Sequence, residues 1–366
     1  MASIADRPDH TATRTPPRAR GPRARLRRVL YSVGTVLLLA LGPPAWAGNV
    51  HRTLCVFDVS GASGAVYQLM KDYAIEAQRW GVDLRLRPYT DESTAKDDFE
   101  AGKCAAVELT GVRNRGLVKF AGSLDMMAGL PDYRALHLAI DVISSPRAAP
   151  LMRSGPYETV GILPGGAVYL FGRDRQRLRD AKALTGDRMA VLAYDRQAVA
   201  MARFAGVAVV PATISTFASL FNNGSVNLCY APALAYFPLE LYKGLGTRGG
   251  ILKLNLGMLT FQIDTHWTLF PKDFGARSRR WIARHDWRPA MQMIRRVTAR
   301  IPARYWVSPS RHQASGYRQM FAEVRQQLWQ RHVYSRRMQV LLKRIRCREN
   351  PADPECSSHM EGPPVP

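Results

Sequence analysis

Residues 183–260 constrain the fold more than any other stretch of this 366-residue chain. Short apolar runs alternate there with helix-like segments: MAVLAY, a helix over 195–205, VAVVPA, a helix over 215–222, then VNLCYAP. Gly206, the NNG at 222–224 and the turn at Pro232 punctuate them. Strands separated by helices pair in parallel through right-handed crossovers, so the chain is expected to be α/β.

The same grammar opens the chain after residue 50. Residues 53–59 read as a buried strand. Gly61, Ser63 and Gly64 form a turn, and a helix with Val66, Met70 and Tyr73 on one face ends at Gly81. VDLRLRPYT alternates as a second strand, Asp91 to Gly102 reads as a helix, and CAAVELTG as a third strand. Between the two series, residues 142–157 are rich in Ser and Pro and predict a linker or hinge. AVYLFGRD is then a strand able to cross between domains, and LKLNLGMLTFQIDT returns as one or two strands. The expected architecture is two α/β domains with a cleft between them. Residues 48–160 plus about 245–275 form a discontinuous first domain, and 161–244 the second. Residues 276–346 predict a basic helical region, with Tyr317, Phe321, Val324 and Leu328, then Tyr334, Met338, Leu341 and Ile345, stepping by three or four. One helix or two in line fits, packed on the body rather than laid on a membrane. Residues 347–366 form a tail.

The first 47 residues have the layout of a secretory signal peptide: Arg25, Arg27 and Arg28, an apolar run from Val29 to Leu41, and a small-x-small site at Ala45-Trp46-Ala47. That run is shorter than the ~20 residues of a membrane span. The periplasm is the expected compartment. Formal net charge is +23, but residues 275–350 hold 19 Lys and Arg against 3 Asp and Glu. A charge so local, on an exported chain, argues against nucleic acid as a partner. The basic C-terminal helices offer a face to an anionic membrane surface or to solvent. An oxidising compartment permits disulfides. Cys347 and Cys356 flank the Pro-rich loop RENPADPE and suit a local bridge. Cys55 and Cys104 open two strands and can pair if those strands are neighbours. Cys229 is left as a buried thiol. No CxxC pair or His cluster points to a metal, and no cofactor is expected.

Ligands of open α/β sheets bind beyond the carboxyl ends of strands. The turn Asp58-Val59-Ser60-Gly61-Ala62-Ser63-Gly64 lies there, and free N–H groups of the following helix suit an anion or a carbonyl oxygen. Glu108, Thr110 and Arg113 follow the third strand, with a Glu108–Arg113 pair as one option. GxGxxG, the P-loop pattern, GxSxG and HExxH are all absent. Asp58 and Glu108 form a carboxylate pair that nothing else supports as glycosidase machinery. A hydrolase is the least favoured class, and the chain is expected not to be an enzyme.

LTGDRMAV, FAGVAVVP, FASLFNNGSVN and YAPAL, in that order and spacing, resemble the second domain of the TRAP-transporter dicarboxylate-binding family, and the similarity extends over most of residues 50–275. The resemblance implies a two-domain periplasmic-binding-protein fold of type II character, with capture of a small molecule in the interdomain cleft for an inner-membrane transporter. It also implies an arginine on the strand after the Gly-rich turn, forked onto the ligand carboxylate. This chain has Ala190 there, in Gly186-Asp187-Arg188-Met189-Ala190. Alanine supplies no donors, so a carboxylate loses its anchor. Aromatic and apolar cleft candidates remain: Phe57, Met126, Met127, Tyr169, Tyr194, Tyr230, Tyr236 and Phe261, with Pro232 at the turn. They suit a largely apolar ligand, with Asp58 or Thr110 meeting a hydroxyl. The texture also resembles a group of solute-binding proteins that includes the periplasmic component of bacterial sterol transport, which works beside an RND-type transporter. The alternatives are thus a TRAP-type organic-acid receptor and a sterol or lipid carrier.

Overall fold

The computed structural model describes residues 48–365, so the leader read in residues 1–47 lies outside the described residues. Strands β1 (Val50–Phe57), β2 (Val82–Tyr89) and β3 (Ala106–Thr110) are parallel, with α1 (Ala65–Gln78) and α2 (Glu92–Glu100) between them. Asp91 caps α2 by accepting from Thr94 N. Then come two single-turn helices, α3 (Gly111–Asn114) and α4 (Lys119–Gly122), and α5 (Tyr133–Ser144). The Ser- and Pro-rich stretch is not an open linker. It comprises the end of α5, a 3-10 turn over Pro146–Met152 and the short β4 (Arg153–Ser154). The strand expected from AVYLFGRD starts well upstream, as β5 (Tyr157–Gly172).

The second series follows as β6 (Arg188–Leu192), α6 (Arg196–Phe204), β7 (Ala208–Ala212), α7 (Ile214–Asn222) and β8 (Leu228–Pro232), again parallel. Asp195 caps α6, and Thr213 with Thr216 makes a capping box on α7. After α8 (Leu241–Leu245), the return passes through β9 (Gly250–Leu252) and β10 (Gly257–His266). The strand order is β2-β1-β3-β10-β5-β8-β6-β7. One strand makes this ladder continuous. β5 pairs antiparallel with β10 along Tyr157–Val168 and with β8 along Val168–Gly172, so its 16 residues serve both βαβ halves.

The remainder is α9 (Phe274–His285), α10 (Trp287–Arg300), the short β11 (Trp306–Val307), α11 (Arg311–Gln330), α12 (Arg336–Glu349) and α13 (Pro354–Ser357). The amphipathic segment is two helices. Tyr317, Phe321, Val324, Leu328, Met338 and Ile345 are buried in one core with Leu136 and Ile140 of α5. Leu342, rather than Leu341, carries the seam of α12. This burial uses the apolar face, and the arginines at 311, 318, 337 and 344 remain exposed. Cys55 is bridged to Cys104 and Cys347 to Cys356, while Cys229 is a buried free thiol. Among the described residues no helix is long and apolar enough to cross a membrane.

Candidate functional site

Both βαβ halves turn the carboxyl ends of their strands toward one cavity of about 370 Å³. The first half contributes Phe57, the turn from Asp58 to Val66, Glu92, Thr110 and Met127. The second contributes Leu192, Tyr194, Asp195, Phe217 and Tyr230 to Pro232. Leu256 to Leu259 and Phe261 come from β10 and its approach, and Met293, Val297 and Arg300 from α10.

The first turn does not present an open anion site. Asp58, 7 % exposed, folds its own carboxylate back onto the start of α1. It accepts from Ser60 N (2.9 Å), Val66 N (2.9 Å) and Tyr67 N (3.3 Å). The N–H groups expected to face a ligand are therefore already paired with a carboxylate. Gly64 makes room for it: a Cβ there would fall about 1.9 Å from the Asp58 carboxyl.

Glu92 is fully buried and ties three elements together. One oxygen accepts from Thr110 N (2.7 Å) and Thr110 Oγ1 (2.6 Å); the other accepts from Tyr194 OH (2.6 Å). Arg113 Nε stands 3.6 Å from that second oxygen, and its guanidinium lies 3.4 Å from the Tyr194 ring centre. Thr110 is thus committed to Glu92. Arg113 pairs with Glu92 and not with Glu108, because α3 carries it past the end of β3 toward α2. Burial, then the charge of Glu92, push the Tyr194 hydroxyl well above its usual range.

Two further acids line the wall. Asp125, 2 % exposed, accepts from Thr260 N (2.9 Å) and Thr260 Oγ1 (2.5 Å), and burial pushes its pKa up to about 7. Asp195, 3 % exposed, accepts from Ala198 N (3.1 Å), and burial raises it too. Gln197 joins them by donating to the Asp125 carbonyl at 3.2 Å. Tyr230 accepts from Leu192 N at 3.3 Å and meets Phe217 edge-on, ring centres 5.5 Å apart.

Of the residues singled out from the sequence, Phe57, Asp58, Ser60, Ser63, Thr110, Met127, Tyr194, Tyr230, Pro232 and Phe261 line the cavity. Glu108, Arg113 and Tyr169 do not. Glu108 is sealed within β3 with neither carboxyl oxygen hydrogen-bonded by a side chain; burial, then Glu92 and Asp58, raise its pKa well above the usual carboxylate range. Val168 faces the cavity, so the two-residue period of β5 sends Tyr169 to the other face, against Trp306 at 5.0 Å. Met126 and Tyr236 are core residues. Ala190 is also absent from the wall: it is fully buried in the core with Phe171, Phe217 and Phe221. Sequence reasoning missed Asp125, Asp195, Phe217 and the α10 wall. Asp195 was legible as an N-cap, and Met293, Val297 and Arg300 sit at the i, i+4, i+7 positions of one helix face.

Two α/β halves facing each other across a cavity define a periplasmic solute-binding protein. The solved structures agree on the fold. A TRAP periplasmic solute-binding protein from Haemophilus influenzae with bound L-gulonate superposes with a TM-score of 0.66 at 11% identity, covering 81% of this chain and 98% of its own. One from Pseudomonas aeruginosa with bound L-malate gives 0.62 at 14% identity, covering 75% and 98%. The family model described as "Solute-binding protein AdeT 1/2" matches residues 74–361, and the chain belongs to that family. It is 36% identical over 306 residues to "Probable solute-binding protein AdeT1" of Acinetobacter baumannii, covering 84% of this chain and all of the relative.

Proposed function

We propose that the chain captures a small, largely apolar solute in the cavity between its βαβ halves and delivers it, unchanged, to an inner-membrane transporter. The observation that carries this reading is how the cavity's polar groups are used. Asp58 is bound by the start of α1, Glu92 and Thr110 by each other and by Tyr194, and Asp125 by Thr260. Apolar and aromatic side chains make most of the rest of the wall, and a fork of donors for a carboxylate is missing from the position where the TRAP resemblance puts it. Apolar walls with few free polar groups favour a solute whose affinity comes from buried area. Closure of the halves about β5 and β10 would complete the enclosure.

Thermal unfolding of the protein with a sterol, with succinate and with L-malate tests this, together with mass spectrometry of any co-purified small molecule. A midpoint raised by the apolar compound and not by the acids is expected. Acids alone raising it would return the chain to the organic-acid class of its structural neighbours.

A further inference from the structure

The cavity wall carries more acidic side chains than basic ones. Asp58, Glu92, Asp125 and Asp195 all line it, each less than a tenth exposed. Arg300 is the single basic lining residue among the described residues; it is exposed, with its guanidinium 4.5 Å from the Phe237 ring centre. Two other guanidiniums sit behind the wall and do not line it. Arg113 lies between Glu92 and the face of Tyr194, and Arg115 binds Gln197 and the Gly122 carbonyl. The acids are interleaved with ring faces: Asp195 and Tyr230 are neighbours, Phe217 packs on Tyr230, and Asp125 is linked to the same side through Gln197.

We propose, building on the reading of this cavity as a solute site, that the solute is an organic cation: an apolar body bearing one protonated amine or quaternary ammonium group. Burial holds Asp125 and Asp195 back from ionising; an ammonium placed beside them favours their charged forms, and a low-dielectric wall does little to screen the resulting attraction. Ring faces attract the same charge through their quadrupole, and an ammonium enclosed by aromatic side chains gains from both. An anion meets the opposite. It would leave water for a wall whose donors are already committed and whose acids offer it no counter-charge. A neutral solute gains from area alone. The acids belong to caps and strand ends, so their positions are fixed before the solute arrives and closure need not order them.

The test titrates the protein calorimetrically with three probes that share one apolar body: 4-phenylbutylamine, 4-phenylbutan-1-ol and 4-phenylbutanoate. The expected order is amine, alcohol, carboxylate, with the amine about tenfold tighter than the alcohol. In the double variant Asp125→Asn, Asp195→Asn the amine-to-alcohol ratio should fall to about twofold or less. Asparagine still caps α6, which protects the fold of this variant. Should the variant fail to fold, the wild-type order alone decides. An alcohol bound as tightly as the amine overturns the cation assignment and leaves the apolar cavity reading standing. A carboxylate bound tightest, or none of the three bound, overturns both.

Discussion

Tyr194 donates its phenol hydrogen to Glu92 at 2.6 Å, a side-chain bond that links the two βαβ halves across the cavity. Glu92 opens α2 in the first half, and Tyr194 follows β6 in the second. Glu92 is fully buried and Tyr194 half-buried, and the acceptor is a carboxylate. A hydrogen bond to a charged group contributes about 1.5–3 kcal/mol. Tyr194→Phe keeps the ring under Arg113 and removes only the hydroxyl. Its unfolding free energy, from denaturant titration, should fall by about 1–2 kcal/mol. An unchanged midpoint would mean that the two halves are held together without this bond.

Gly64 and Asp58 make a second dependency that geometry alone imposes. The carboxylate occupies the space a side chain at position 64 would need. Gly64→Ala must therefore displace Asp58 from Val66 N and Tyr67 N. The loss of an N-cap costs about 1–2 kcal/mol. The freed carboxylate then turns toward the cavity, where it adds negative charge and polar surface. The expected result is lower stability together with altered solute affinity. Hydrogen exchange at Val66 and Tyr67 reads the cap directly, and unchanged protection there would show that Asp58 had kept its place.

Much of the fold was legible because its signals are local. The strand and helix periods and the Gly stops gave both βαβ series to within a few residues, and the structure adds the caps at Asp91 and Thr213. Residues 111–130 were not legible: α3 and α4 are one turn each, too short to show a period. The cavity-lining residues at strand ends were readable from the α/β rule. What each polar side chain does there was not, since that depends on partners far along the chain. Thr110 looked free until Glu92 met it, and Asp125 is fixed by Thr260, 135 positions later. The α10 wall was hidden in plain composition, because a helix rich in arginine reads as solvated until its apolar edge has something to cover.

Buried acids should make this protein lose stability as pH rises. Burial pushes Asp264 up to about 8, and Asp125 and Asp286 up to about 7; Glu108 is raised well above its usual range, again mainly by burial. In the unfolded chain such groups ionise near pH 4. Between there and pH 7–8 the native state holds more protons than the unfolded state. Stability is therefore greatest at the acid end of that window and falls by about 1.4 kcal/mol per pH unit for each such group. Glu355 acts the other way. Burial would raise it, but Arg325 and Arg346 hold it below its usual range, so its contribution fades only in acid. Asp264→Asn removes one of the raised groups. Relative to wild type it should gain stability from pH 5 to pH 9, measured by urea unfolding at each pH. A constant difference across that range would show that Asp264 is not titrating there.

Ala190 stands at the position where the TRAP resemblance places a carboxylate-binding arginine. The natural experiment is Ala190→Arg, and the structure says it will not restore an organic-acid site. Ala190 shares a face of β6 with Leu192, which reaches the cavity, but it lies one pleat deeper, with no exposed surface. Phe171, Phe217 and Phe221 fill the space around it. A guanidinium there would be overpacked and stranded without a carboxylate. An unpaired buried charge costs about 3–5 kcal/mol, more than a bound succinate held by one fork could return. The variant should unfold at lower denaturant and show no heat of binding with succinate or L-malate. Micromolar binding of either acid by a folded Ala190→Arg protein would show that the wall around Phe217 opens to admit the side chain, and that the loss of one arginine is what separates this cavity from the acid-binding ones.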